Sequence, residues 1–306
     1  MNRKNLYNGN IYNSDLKYKK YRRKLNKNTP ENIKINNDDL LENGLDPTVD
    51  MDTLEYRFDE CRKQGGKILV ISHLGLKKFP EIPKSVIVIF GSNNKFKNVP
   101  NFENYNLQCI DLSNNKLIKT PIIADIEELN LSGNKLIDAS SLNGKKIKRV
   151  DLSRNKLKTI PLINNIDDLE IRDNEIESIP IMDTLKILRV KNNKLTEIGD
   201  FKNLKIIDCI NNNIVKIGIL PLIEELYVHC NNISSLSHEY PRLRELSIYS
   251  NPINKIELKL NKLQNLIVDN KDFFIPSKML SSIKHKYIYD KKIIELIIEW
   301  AFNILL

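Results

Sequence analysis

The stretch LQCIDLSNNKL, residues 107–117, decides the fold of this 306-residue chain, because its pattern returns about every twenty residues. Two further copies, IKRVDLSRNKL at 147–157 and IDDLEIRDNEI at 166–176, fit the same template L-x-x-L-x-L-x-x-N-x-L. Ten copies lie between Val86 and Lys271, and a weaker copy precedes them. Repetition at one fixed period indicates a solenoid, in which each repeat buries its apolar face against its neighbours.

An asparagine occupies the ninth template position in nine consecutive copies, at separations of 19 to 21 residues. In the middle of the template, leucine positions alternate with variable positions, and this alternation predicts a strand whose leucines point into the core. Where the chain then turns, backbone N–H and C=O groups lie inside the bend, and a buried amide can satisfy both kinds. We therefore predict a structural ladder of asparagines: Asn94, Asn115, Asn134, Asn155, Asn174, Asn193, Asn212, Asn231 and Asn251.

The template resembles that of leucine-rich repeats. Its short period is similar to the repeats of bacterial effectors of the Yersinia outer-protein and Shigella invasion-antigen type, and to arrays in large DNA viruses. A proline recurs six residues after the ninth position, which disfavours a helix there. These prolines are Pro80, Pro100, Pro121, Pro161 and Pro180. The resemblance implies an α/β solenoid, a horseshoe with a parallel concave β-sheet and a mostly non-helical convex side, capped by short helices.

Four segments follow from this pattern. Residues 1–45 are predicted to be a basic, disordered tail, because residues 1–34 hold ten Lys and Arg against two acidic residues. Residues 46–66 are predicted to form an N-terminal cap helix, residues 67–275 to hold 10–11 repeats, and residues 276–306 to form a C-terminal cap helix. The final apolar stretch, 291–306, leaves a dimerisation helix or a membrane anchor as alternatives, although it is short for an anchor and carries two glutamates.

Outside the basic tail the chain has a net charge of only +1, because residues 35–306 hold 38 basic and 37 acidic residues. This balance argues against a nucleic-acid footprint on the repeats. Four scattered cysteines and a polar N-terminus without a signal peptide favour a reducing, intracellular and cytoplasmic location, which is host cytoplasm for a virus or an effector. A nuclear-localisation signal between Lys17 and Lys24 is an alternative. The abundance of Asn, Ile and Lys is typical of a viral or A+T-rich microbial origin.

No catalytic constellation is apparent in the sequence. The four histidines, His73, His229, His238 and His285, match no metal-binding spacing, and no glycine-rich phosphate loop occurs. Residues 109–111, Cys-Ile-Asp, match the active-site string of effector ubiquitin ligases, but they lie inside a predicted strand. We therefore expect no enzymatic activity, no catalytic residue, no metal and no cofactor.

The informative residues are those at the outward strand positions, which line the concave face. In the N-terminal half they are small or acidic, whereas the C-terminal half mixes basic, aromatic and aliphatic side chains, a composition typical of binding hot spots. The predicted partner-binding residues are Arg172, Ile187, Arg189, Lys191, Ile210, Tyr227, His229 and Tyr249. The sequence thus predicts a monomeric protein–protein interaction module without membrane association, and its partner is a protein of unknown identity.

Three alternatives remain open at this stage. In the first, the concave face is a solvated surface without a dedicated partner. In the second, the chain is an adaptor that recruits a client to a ubiquitin ligase or another enzyme through its terminal segments. In the third, the tail binds RNA or acidic lipid through KYKKYRRK, residues 17–24, and the solenoid takes no part in binding.

Overall fold

One short strand per repeat builds the sheet. A computed structural model describes residues 53–236, 238–253 and 262–268, and the backbone of 285–288. The described strands are β1 (Ile68–Val70), β2 (Val88–Phe90), β3 (Cys109–Asp111), β4 (Ile126–Asn130), β5 (Ile147–Asp151), β6 (Asp168–Glu170), β7 (Ile187–Arg189), β8 (Glu197–Ile198), β9 (Ile206–Asp208), β10 (Lys216–Ile217), β11 (Glu225–Tyr227), β12 (Glu245–Ser247), β13 (Asn265–Val268) and β14 (His285–Ile288). All except β8 and β10 form one twelve-stranded sheet in chain order.

The strands are parallel and in register with the template. The fourth template positions pair from strand to strand, so that Leu69 faces Ile89 and Ile89 faces Ile110. This column of aliphatic side chains continues through the sheet to Leu266, and each member is at most 3% exposed. The predicted solenoid with a parallel sheet is confirmed, and its core is the stack of inward strand positions.

A helix lies against the first strand. Helix α1 spans Leu54–Lys63 and begins at Thr53, whose side-chain oxygen accepts a hydrogen bond from the N–H of Tyr56 at 3.2 Å. Cys61 is buried, and Leu54 and Phe58 pack against the core. The chain leaves the helix through two glycines with positive φ. The helix lies inside the segment predicted for the N-terminal cap, 46–66, of which the residues before 53 lie outside the described ranges.

The convex side carries little regular structure. Between β1 and residue 253, the described residues contain one 3-10 turn, Ser140–Leu142, and no α-helix. Strands β8 and β10 pair there in parallel as a second, two-stranded sheet. The prediction of a mostly non-helical convex side is confirmed for this part of the chain.

The sheet extends beyond the predicted end of the array. Strand β14 pairs in parallel with β13, so the boundary at residue 275 is wrong, and residues 285–288 are a strand rather than part of the predicted cap helix 276–306. The register places Lys286 opposite Leu266, at the position where other repeats have an aliphatic residue. This lysine hides the repeat from a search for the template. The predicted tail 1–45 and the apolar stretch 291–306 lie outside the described residues.

Each ladder asparagine joins two repeats through backbone groups. In the repeat of β5, Asn155 Nδ2 donates to the carbonyl of Leu152 at 2.9 Å and to that of Leu131, in the preceding repeat, at 3.1 Å. Its Oδ1 accepts the N–H of Leu136, also in the preceding repeat, at 3.0 Å. The other eight asparagines make equivalent bonds. The amide thus provides hydrogen-bond partners for the backbone groups that the turn would otherwise leave unpaired.

The residue before each asparagine adopts a left-handed backbone conformation. These nine residues have φ between 53° and 67°: Asn93, Asn114, Gly133, Arg154, Asp173, Asn192, Asn211, Cys230 and Ser250. Glycine, asparagine and aspartate adopt this conformation at the lowest cost, and they occupy six of the nine positions. The eighth template position is therefore also structural, although its varied residue types do not predict this from the sequence.

We predict that Asn155→Ala lowers the free energy of unfolding by about 1–3 kcal/mol, because it leaves buried backbone groups of two repeats without partners. Urea denaturation followed by circular dichroism measures the change. The matched control is Lys156→Ala at the next, exposed residue, for which we expect a change within about 0.5 kcal/mol. Equal destabilisation of the two variants would contradict a specific role for the amide.

Candidate functional site

Three columns of side chains line the concave face. Because the strands are parallel and in register, the third and fifth template positions each form a column across the sheet, and the seventh position continues just beyond each strand. Across β5, β6 and β7, for example, Arg149 pairs with Asp168 and Asp168 with Ile187. The sheet therefore sets the predicted binding residues on one continuous surface.

In the N-terminal half of this face, polar side chains bond to each other locally. Asp111 Oδ1 accepts the N–H of Ser113 at 3.0 Å and its hydroxyl at 2.7 Å. Asn130 and Ser132 repeat the same pair of contacts at 3.0 and 2.8 Å. Asp111 and Asn130 are buried. These polar groups stabilise the ends of β3 and β4, beside a buried apolar cluster of Val88, Phe90 and Cys109.

Further along, the arginines of the face are paired with carboxylates of the same sheet. Arg189 Nη1 lies 2.9 Å from Asp168 Oδ1, and Arg172 forms an ion pair with Glu170. Burial raises the pKa of Asp168, and the adjacent Arg189 opposes that shift. Arg172 and Arg189 are in the predicted places, but their charges are largely neutralised within the protein.

Two of the predicted binding residues stack on each other and are buried. His229 is 6% exposed and Tyr249 is 8% exposed, with ring centroids 4.0 Å apart and planes 16° apart. His229 Nδ1 also lies 2.9 Å from Ser247 Oγ. The assumption that these rings are exposed is wrong. Their template position points outward, but each large ring covers its neighbour in the next repeat.

Burial lowers the pKa of His229 to about 4, and the positive charge of Lys191 contributes in the same direction. The imidazole is therefore neutral at physiological pH. His229 and Tyr249 form a stacked, uncharged pair that supports the face from within.

Tyr227 connects two acidic side chains. Its hydroxyl lies 2.6 Å from Glu245 Oε2 and 3.1 Å from Glu225 Oε2. Burial and the two carboxylates raise the pKa of Tyr227. Asn265 Nδ2 donates to the other oxygen of Glu245 at 3.0 Å. This end of the described face is thus acidic and cross-linked by hydrogen bonds.

An apolar patch separates the arginine pairs from this acidic end. Ile187 on β7 pairs in register with Ile206 on β9, and Ile210 lies two residues beyond the end of β9, with Asp208 between Ile206 and Ile210 on the same face. All three isoleucines are partly exposed, as is the neighbouring Lys191. We call Ile187, Ile206 and Ile210 the isoleucine patch. Two of its members and Lys191 were among the predicted binding residues; Ile206 was not.

The described residues contain no group of three or more His, Cys, Asp or Glu side chains placed to hold a metal ion. In the same residues no helix has the length and apolar character needed to cross a bilayer. Cys109 and Asp111 of the Cys-Ile-Asp string are buried in β3.

We predict that His229→Gln reduces the loss of stability on acidification. Between the ordinary histidine pKa of about 6.5 and the folded value of about 4, the unfolded chain binds a proton that the folded chain does not. The wild type therefore loses stability as the pH falls through this window, and the glutamine variant lacks this contribution. Urea midpoints at pH 7 and pH 4.5 measure both losses; losses of equal size would show that His229 titrates normally.

Comparison with known proteins agrees with this architecture. A family model described as "Leucine Rich Repeat" matches residues 106–127, which include β3 and the turn after it. YopM from Yersinia enterocolitica WA-314 superposes with a TM-score of 0.56 and 17% identity, covering 90% of this chain and 73% of that chain. Among curated protein sequences none is significantly similar.

Two further solved structures are similar. The leucine-rich repeat domain of APL1B has a TM-score of 0.51 and 18% identity over 78% of this chain and 93% of that chain. The APL1 leucine-rich repeat domain has a TM-score of 0.51 and 17% identity over 74% of each chain. At these identities the likeness establishes the fold. The predicted similarity to leucine-rich repeat proteins of bacteria is confirmed at that level, and a viral origin stays a prediction.

Proposed function

We propose that this leucine-rich repeat protein is a non-enzymatic module that binds another protein through the C-terminal half of its concave face. Leucine-rich repeat arrays generally serve as interaction scaffolds, since their stacked repeats present an extended surface. The observation that carries the proposal is the isoleucine patch: three partly exposed aliphatic side chains on the sheet face, between the arginine pairs and the acidic end.

The surface around the patch is rigid. Backbone hydrogen bonds continue beyond the strands from repeat to repeat, with the N–H of Ile171 donating to the carbonyl of Arg189 at 2.8 Å and that of Val190 to Asp208 at 2.7 Å. A partner therefore meets a surface that needs little ordering, which lowers the entropic cost of association.

The rim of the patch carries opposite charges on its two sides. Lys191 lies towards the N-terminal repeats beside the ion-paired Arg172 and Arg189. Glu225 and Glu245 lie towards the C-terminal repeats. Such a rim favours a partner whose apolar anchor is flanked by complementary charges, and it orients that partner along the sheet. His229 and Tyr249 contribute by supporting the surface, not by contact.

We predict that the triple variant Ile187→Gln, Ile206→Gln and Ile210→Gln loses partner binding by about tenfold or more, because the apolar anchor site becomes polar. The measurement is quantitative affinity purification from the cells that contain the protein. The matched control replaces three exposed residues that lie off the sheet face, Ile118, Ile137 and Val215, by glutamine. Both variants should keep the wild-type far-UV circular dichroism.

If the control loses the captured partner and the patch variant retains it, the binding surface lies off the sheet face and the proposal fails. The proposed location is intracellular and cytoplasmic, which the buried free thiols of Cys61, Cys109 and Cys209 support. The adaptor function and tail-mediated RNA binding depend on residues outside the described ranges and stay predictions.

A further inference from the structure

The sheet has one long edge where its strands begin and another where they end, and these two edges differ sharply in charge. The turns that follow β1 to β5 (73–78, 93–98, 114–119, 133–138 and 154–159) hold ten Lys and Arg side chains and one acidic residue, Asp138. The next turn, 173–178, holds three acidic residues and no basic one. The repeats as a whole are nearly neutral, but the edge where the first five strands end is strongly positive. Net charge alone therefore does not exclude a nucleic-acid footprint on this edge.

At the tenth template position this edge has one lysine in each of four consecutive repeats. These residues, Lys95, Lys116, Lys135 and Lys156, are all exposed, and we call them the lysine ladder. Among the residues that the structure describes, none of the four has a carboxylate within ion-pair distance. Exposed positions outside the core have no packing reason to carry four like charges in a row, whose mutual repulsion is unfavourable.

The opposite edge carries lysines too, but several of them are paired across repeats. Lys148 Nζ lies 3.5 Å from Glu127, and Lys186 Nζ lies 2.8 Å from Asp167. Positive and negative residues alternate there between neighbouring strands, so the field of that edge largely cancels. The contrast shows that the positive edge is not a general consequence of a lysine-rich composition.

The backbone holds the lysine ladder in line. The N–H of Lys95 donates to Leu76 at 2.7 Å, and that of Lys116 donates to Phe96 at 2.9 Å. Lys135 and Lys156 make the same bond to the preceding repeat, each at 2.8 Å. With neighbouring strands about 4.8 Å apart, the four Cα atoms form a regular row about 15 Å long. The backbone of each lysine is thus held in place, and only the side chain that carries the ammonium group can move.

A groove with aromatic walls opens at the N-terminal end of this row. It encloses about 560 Å³, and its lining includes Lys77, Lys78 and Lys97, the rings of Phe79 and Tyr105, and one acidic residue, Glu81. Phe79 packs on the buried Phe96 at 5.1 Å between centroids, which fixes its ring. Lys84 Nζ lies 3.8 Å from the centre of the Tyr105 ring. Aromatic rings beside ammonium groups at the end of a basic row are the arrangement that accepts stacked bases next to phosphates.

We propose that the lysine ladder and the adjoining groove bind single-stranded nucleic acid through its phosphate backbone, without sequence preference. Lysine is a compact point charge suited to following phosphates, whereas the arginine fork is better suited to bidentate pairing with carboxylates. This edge has nine lysines and one arginine, and its groove has aromatic walls. The aromatic walls favour a nucleic acid over an acidic protein segment. The site is separate from the concave face, so either proposal can fail without the other.

The test is fluorescence anisotropy of labelled oligo(dT) and oligo(U), about twenty nucleotides long, with the full chain. Replacing the lysine ladder by glutamine (Lys95→Gln, Lys116→Gln, Lys135→Gln, Lys156→Gln) should weaken binding at least tenfold. It should also make the slope of log K against log salt shallower by up to about 3, at about 0.7 for each phosphate that a lysine no longer neutralises. The matched control removes four exposed lysines from the opposite edge, Lys146, Lys148, Lys186 and Lys205, and should bind within about twofold of wild type.

Two outcomes overturn the proposal. If wild type, ladder variant and control bind equally, the basic residues 1–34, which all three retain, account for the affinity, and the edge is not a site. If a polyglutamate of the same length binds more tightly than the oligonucleotides and only the ladder variant loses it, the ligand is an acidic protein segment. Absence of binding to both probes overturns it as well.

Tyr105→Leu separates stacking from charge. We expect about fivefold weaker oligonucleotide binding with an unchanged salt slope, because the variant removes a stacking surface and no positive charge. Unfolding of the variant in urea shows whether the aromatic cluster is intact. Unchanged affinity in a folded variant would remove the groove from the proposal and leave binding to the lysine ladder alone.

Discussion

One side-chain amide per repeat is the contact on which the rest of this solenoid depends. Asn155, like its eight equivalents, binds backbone groups of its own repeat and of the preceding one. Since the amide reaches both a carbonyl and an N–H of the neighbour, it allows only one offset between repeats. The left-handed residue before it makes the turn tight enough for those bonds. Strand register, the columns of the concave face and the row of lysines all follow from that offset.

A consequence is that the concave face has fewer unpaired polar and aromatic groups than its composition indicates. With side chains stacked one repeat apart, polar groups on adjacent strands find each other: Arg189 pairs with Asp168, and Tyr227 bonds to Glu245. Aromatic rings do the same when His229 stacks on Tyr249. The residues least engaged by their neighbours are aliphatic ones in the middle of the sheet and the four lysines of the lysine ladder, which have no ion-pair partner among the described residues.

The sequence was sufficient for everything that depends on the period. Leucine positions and the ninth-position asparagines could be assigned because each has a local pattern. It was insufficient where the outcome depends on residues about twenty positions apart, since the burial of His229 requires Tyr249 in the next repeat. It also missed β14, because Lys286 occupies a template position that is aliphatic in the other repeats. Net charge failed for a related reason, since it sums two edges that the fold separates in space.

The two proposed surfaces divide the solenoid between them. The basic edge ends where Asp173, Glu175 and Glu177 follow β6, and Lys194 Nζ lies 2.9 Å from Glu175 and lowers the pKa of that carboxyl. An anionic polymer is therefore attracted along the first five repeats and repelled at the sixth. The isoleucine patch begins on β7, immediately beyond this acidic turn. Because the patch lies on the sheet face and the lysines lie in the turns at its edge, one chain has room for a protein and a nucleic acid at once.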